Sequence, residues 1–210
     1  MVLTLALTCL VTPRVHARAD PQAGAVQAAF DGLLARVRQS DESVDFLELR
    51  RSYADSDAYS PYRDDAEESM IAAFGASDYE GTLTIAREIL ARNYMNIEAH
   101  IGSMLACDAL GNAACAAHHA YVARGVIRSI AASGDGRAPA TAYVVVSTPE
   151  EYALVRTLGV EVLNQSLIRA DDGHAYDVLT VRDRNTGQES QLYFNVDLAL
   201  AATSRILGLR

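Results

Sequence analysis

Apolar residues recur at three- and four-residue intervals until Ser133-Gly134-Asp135-Gly136, after which β-branched runs separated by turn residues take over. Val26, Phe30, Leu33, Leu34 and Val37 share one helical face and predict a first helix over 25–38, with 20–24 as a mobile terminus. Short helices are expected at 44–53 and 64–75. The stretch 55–62 between them reads as irregular, because Pro61 disfavours helix at Ser60. Three further helices are expected near 79–92, 97–109 and 113–131.

Past Gly136 the pattern predicts a strand over 141–147, with Val144, Val145 and Val146 buried on both faces. Thr148-Pro149-Glu150-Glu151 has the form of a helix start, with Thr148 as N-cap and Glu151 reaching back as a capping box; Gly159 stops the helix. Strands follow at 162–169, 176–183 and 191–196. They are joined by Asp171-Asp172-Gly173 and Asn185-Thr186-Gly187, whose residue types suit the positive φ of hairpin turns. A helix over 198–207 ends the chain. The order argues for an α+β fold: N-terminal helices, then a small, mostly antiparallel sheet covered by helices. The expected organisation is 1–19 as a leader, 20–136 as the helical region and 137–210 as the sheet region, the last two sharing one core.

An internal echo lies in the helical region. Asp78-Tyr79 with Ala86 and Ile89 aligns, at an offset of 34, with Asn112-Ala113, Ala120 and Ala123. That period belongs to tetratricopeptide repeats, so a repeat-like helical hairpin is expected, not a long solenoid.

Composition adds a compartment. Val2 to Val11 is apolar, Pro13 follows, and Ala17-Arg18-Ala19 precedes Asp20 in the manner of a signal-peptide cleavage site, although no Lys or Arg stands before the apolar core. Cys9 as a lipid-anchor site fits poorly after Ala6-Leu7-Thr8. The expected location is therefore exported, periplasmic or secreted. Loss of 1–19 takes away Arg14 and Arg18 and makes the formal charge of −9 two units more negative. An acidic exported chain argues against nucleic-acid partners, and no later segment is long and apolar enough for an integral membrane helix. All 18 cationic residues are Arg, which excludes Schiff-base and phosphate-loop lysines. Cys107 and Cys115 flank the turn Leu110-Gly111-Asn112; they read either as a disulfide across a helical hairpin or as two buried thiols.

Several short motifs coincide: Leu49-Arg50 with Tyr53, Tyr59-Ser60-Pro61-Tyr62, Ser133-Gly134-Asp135-Gly136, Glu150-Glu151-Tyr152, Tyr176-Asp177 and Tyr193-Phe194-Asn195-Val196-Asp197. Together, from about Phe46 to Asp197, they resemble a bacterial family known only as a domain of unknown function, numbered 4919. The resemblance implies an exported protein and supplies no reaction.

Candidate chemistry is sparse. The Ser133 loop offers backbone amides, a carboxylate at Asp135 and a cation at Arg137, but it serves equally as a helix cap and chain turn, and it has too few oxygens for calcium. His118 and His119 with His100 are three imidazoles. Adjacent helical residues point about 100° apart, so no metal site is expected of them. Ser133 lacks the strand-to-helix setting of a nucleophile elbow. Paired carboxylates for glycoside cleavage are available among Glu150, Glu151, Asp177 and Asp197, although the first two already have a capping explanation. Tyrosines suit either a binding surface or a core edge, and Asn195 and Asp197 suit a helix N-cap.

The candidate binding set is Arg50, Tyr59, Tyr62, His119, Ser133, Asp135, Tyr193 and Asn195, with no catalytic residue, no metal and no cofactor assigned. The leading expectation is an exported, non-catalytic binding or scaffold protein whose partner is another envelope protein or a peptide. The alternative is a small periplasmic hydrolase or ligand-binding enzyme with its site near Ser133 and Asp135.

Overall fold

The computed structural model describes residues 21–208, with side chains from Gly24 onward. The expected leader, with Cys9, lies outside the described residues. Eight α-helices and one four-stranded sheet follow in the order α1 Pro21–Arg38, α2 Phe46–Asp55, α3 Glu67–Gly75, α4 Tyr79–Arg92, α5 Ile97–Ala109, α6 Ala113–Ala131, β1 Tyr143–Val144, α7 Thr148–Thr157, β2 Val160–Arg169, β3 Ala175–Asp183, β4 Glu189–Asn195 and α8 Asp197–Ile206. This is an α+β fold.

The middle helices owe their boundaries to local chemistry. Asp78, Asn96 and Asn112 each accept a hydrogen bond from the third amide of the following helix, at 2.9 Å from Gly81 N, 2.8 Å from Ala99 N and 3.1 Å from Cys115 N. Helices α4, α5 and α6 pack in succession, and a disulfide joins Cys107 at the end of α5 to Cys115 at the start of α6, with Cα atoms 5.8 Å apart.

Three boundaries differ from expectation. Helix α1 starts at Pro21, so 21–24 is helix and not a loose terminus; proline is pre-organised for a first helical position. Helix α3 starts at Glu67, since Asp64 first forms a turn that accepts from Ala66 N at 2.9 Å. The valine run pairs through Tyr143 and Val144; Val145 N still donates to Asn195 O at 3.2 Å, while Val146 N turns to Glu150 Oε2 at 2.9 Å, and both valines are buried in the main core.

The sheet order is β1-β4-β3-β2, with β1 parallel to β4 and both other pairings antiparallel. Alternation along β3 sorts its faces: Ala175, Leu179 and Val181 join the main core with Phe194 of β4, while Tyr176 and Val178 form a small outer cluster with Ala142. The main core runs from Phe30, Leu49 and Val126 in the helical region to Leu154, Leu179 and Phe194 in the sheet region. Strand β2 is the free edge of the sheet and carries a bulge between Val162 and Asn164.

The loop between α6 and β1 is fixed by its own residues. Ser133 Oγ donates to Ile130 O at 2.6 Å and accepts from Val144 N at 2.8 Å, while Asp135 accepts from Thr141 Oγ1 at 2.6 Å and from Arg137 N at 3.0 Å. Gly134 is required by close approach: a Cβ there would stand 2.6 Å from Ala142 O and closer still to Thr141 O. Both are backbone atoms that cannot swing aside. Gly134→Ala is therefore expected to cost about 2 kcal/mol through overpacking, read as a lowered midpoint in urea unfolding; an unchanged midpoint would show that the 133–142 loop yields freely.

Candidate functional site

A cleft of about 610 Å³ opens between the helical region and the inner face of the sheet. Its apolar wall includes Tyr62, Ile71, Pro149, Leu167 and Leu200. Tyr62, Ile71 and Leu167 are 65%, 52% and 59% exposed, an unusual degree of wetting for large apolar side chains gathered at one opening. Each is placed there by a different element: Tyr62 by the Pro61 loop, Ile71 by the outward face of α3, and Leu167 by the inner face of the edge strand β2.

The charged lining is arranged in pairs. Arg63 Nε donates to Glu67 Oε2 at 2.7 Å, and Arg156 pairs with Glu98. Glu67 itself is buried and also accepts from Asn96 Nδ2 at 2.7 Å. Asp177 differs. Among the described residues no cation lies within salt-bridge distance of it, and it accepts from Gln165 Nε2 at 2.8 Å. Tyr152 donates to Gln165 Oε1 at 2.7 Å, which holds the amide in the orientation that presents its NH2 to Asp177.

Behind Asp177 lies Glu151, 0% exposed, and the Gln165 amide reaches both carboxyls. Its Oε1 has no hydrogen-bond partner, and Oε2 has only a long contact of 3.4 Å from Gln165 Nε2. Burial, then the adjoining Asp177 charge, then the more distant Glu150 push the Glu151 carboxyl up to about 9. A carboxyl raised this far keeps its proton at neutral pH, so Glu151 adds no charge to the cleft and the pair presents a single negative charge.

The expected capping box is absent. Ser147, not Thr148, occupies the N-cap position, without a side-chain bond. Glu150 turns instead to Arg50, whose Nε and Nη2 donate to its two oxygens at 2.9 and 2.6 Å. Arg50 also donates to Ser129 Oγ and Val144 O, and Glu150 Oε2 accepts from Val146 N. Both side chains are buried, so Arg50 ties the fold together and faces no ligand. Tyr59 is buried too, donating to Val146 O at 2.5 Å.

The other candidates are scattered. His100 donates through Nε2 to Tyr94 O at 2.9 Å, which leaves its Nδ1 to accept from His119 Nδ1 at 3.0 Å. Burial holds His100 down to about 3 and His119 down to about 4, so both imidazoles are neutral and consumed by packing. His119 stands about 20 Å along α6 from Ser133, given a rise of about 1.5 Å per residue. Among the described residues no group of histidine, cysteine and carboxylate side chains has metal-binding geometry. A second hollow of about 1000 Å³ follows α6 from Ser40 to Ser133. His118 there is bonded on both nitrogens, to Ser40 Oγ and Tyr94 OH. Tyr193 lies on the outer face of the sheet, donating to Gln191 Oε1, and Asn195 accepts from Asp197 N at the start of α8. Only Tyr62 of the sequence-derived set reaches the cleft.

Tyr152 stands out in the sequence only within the Glu150-Glu151-Tyr152 motif, Gln165 does not stand out at all, and Glu151 fits a cap as well as a carboxylate pair. A signal for Asp177 was present: it shares the inward parity of Leu179 and Val181. An acid on the buried face of a strand requires a partner, and that partner is Gln165 on the neighbouring strand.

No curated protein and no solved structure matches the chain. A family model described as Domain of unknown function (DUF4919) matches residues 22–205, nearly all of the described chain. The chain belongs to that family.

Proposed function

We propose that this is an exported, non-catalytic binding protein, and that the cleft between Tyr62, Ile71 and Leu167 holds a small organic ligand with an apolar body. The observation that carries this reading is the open apolar wall set against a charged floor: about 610 Å³ falls within the range of ligand pockets, roughly 300–1,000 Å³. Export is supported by the apolar leader pattern of residues 2–19 and by the Cys107–Cys115 disulfide, which suits an oxidising compartment. The α4–α6 run, with its 34-residue echo, serves in this reading as a repeat-like scaffold on which α3 packs and which adds Glu98 to the cleft lining. Against the hydrolase alternative, both hydrogen bonds of the Ser133 hydroxyl among the described residues go to backbone groups, Ile130 O and Val144 N.

The test is the neutral fluorophore N-phenyl-1-naphthylamine. Its emission is expected to rise with the folded protein and to fall at least fivefold in the double variant Ile71→Asp with Leu167→Asp, both exposed positions at which circular dichroism should stay unchanged. No enhancement with the parent protein, or equal enhancement with the variant, overturns the reading.

A further inference from the structure

Resting on the cleft as the binding site, we infer that its ligand carries a primary ammonium group beside the apolar body, held by Asp177 over the carboxyl of Glu151. The cleft's own cations are already engaged, Arg63 by Glu67 and Arg156 by Glu98. What remains uncompensated among the described groups is the one negative charge of the Asp177–Glu151 pair, set beside Leu167 and across from Pro149 and Leu200. An ammonium supplies three donors. The acceptors are the carboxylate of Asp177, already oriented by Gln165, and the phenolic oxygen of Tyr152, which also lines the cleft. A carboxylate ligand would meet like charge, and a neutral alcohol would leave Asp177 without a counter-ion.

The buried acid gives this site a second signature. Glu151 Oε1 has no partner, and burial first, then the Asp177 charge, favours the protonated carboxyl. The groups that bear on it are Asp177, Tyr152 through Gln165, and Glu150, whose own charge is met by Arg50. A cation seated on Asp177 cancels the repulsion that holds the proton in place. Binding should therefore release a fraction of a proton from Glu151 at pH 8 to 9. The proton passes to buffer; no bond to the ligand is formed.

Isothermal titration with 4-phenylbutylamine, 4-phenylbutanol and 4-phenylbutyrate separates the outcomes. The amine is expected to bind about tenfold more tightly than the alcohol, with the acid weakest. Asp177→Asn should bring amine and alcohol to parity. Glu151→Gln should keep the amine preference while abolishing the dependence of the measured heat on buffer ionisation enthalpy, a readout that a purely structural role would not move. Equal binding of amine and alcohol to the parent protein overturns the ammonium inference and leaves the cleft reading standing. Binding of none of the three overturns both.

Discussion

Replacing Arg50 by alanine is expected to lower the unfolding free energy by about 3–5 kcal/mol, because it strands the Glu150 carboxylate in a dry interior. Arg50 is fully buried and every one of its nitrogens is committed: Nε and Nη2 to Glu150, Nη1 to Ser129 Oγ, and Nη2 also to Val144 O. It thereby links α2, α6, β1 and the start of α7, four elements with no covalent reason to meet. For a domain of this size the loss corresponds to a fall of about 10 °C in Tm. The double variant Arg50→Met with Glu150→Leu should recover only part of it. Removing both charges cancels the desolvation problem, but Val144 O and Val146 N still lose their partners at about 1–3 kcal/mol each. Calorimetry of the parent, the single and the double variant checks this. A single variant within about 1 kcal/mol of the parent would show that water reaches Glu150 and that the node is not sealed.

That node marks where a reading of sequence stops. The boundaries of α4, α5 and α6 follow from caps three residues away, at Asp78, Asn96 and Asn112, and the hairpins from glycines at positive φ, Gly173 and Gly187. All of that is local. Arg50 and Glu150 are 100 residues apart, and nothing near either names the other. The adjacent pair Glu150-Glu151 looked like one capping device because both acids fit a helix start; in three dimensions their different directions around the helix send one to Arg50 and the other to Asp177. The valine run misled for a related reason. Burial on all sides produces the same residues whether strands or helices supply the cover. The cleft was illegible as a whole because its wall is assembled from the Pro61 loop, α3, α7, β2 and α8.

Glu151→Gln is expected to make the protein more stable at neutral pH, on the order of 3 kcal/mol at pH 7. Burial and the Asp177 charge raise the folded-state Glu151 to about 9 from an ordinary 4.5. Below pH 4.5 the group is protonated in both the folded and unfolded chain and contributes nothing. Between 4.5 and 9 the unfolded chain gives up the proton while the folded one keeps it, so the folded state binds more protons and its stability declines as pH rises. Above 9 both forms ionise and the penalty is complete. Glutamine keeps the shape of the protonated acid and has no proton to lose, so the variant's advantage should be near zero at pH 4, grow through neutrality and level off past pH 9. Urea unfolding of both proteins across that range measures the difference directly, and parallel curves would show that Glu151 ionises freely in the folded state. The chain thus keeps a group that weakens it at neutral pH. Such a conflict between fold and residue is the mark of a site whose interactions are completed from outside: a cation on Asp177 removes part of the very repulsion that makes Glu151 costly, so the same carboxyl that destabilises the empty protein favours the occupied one.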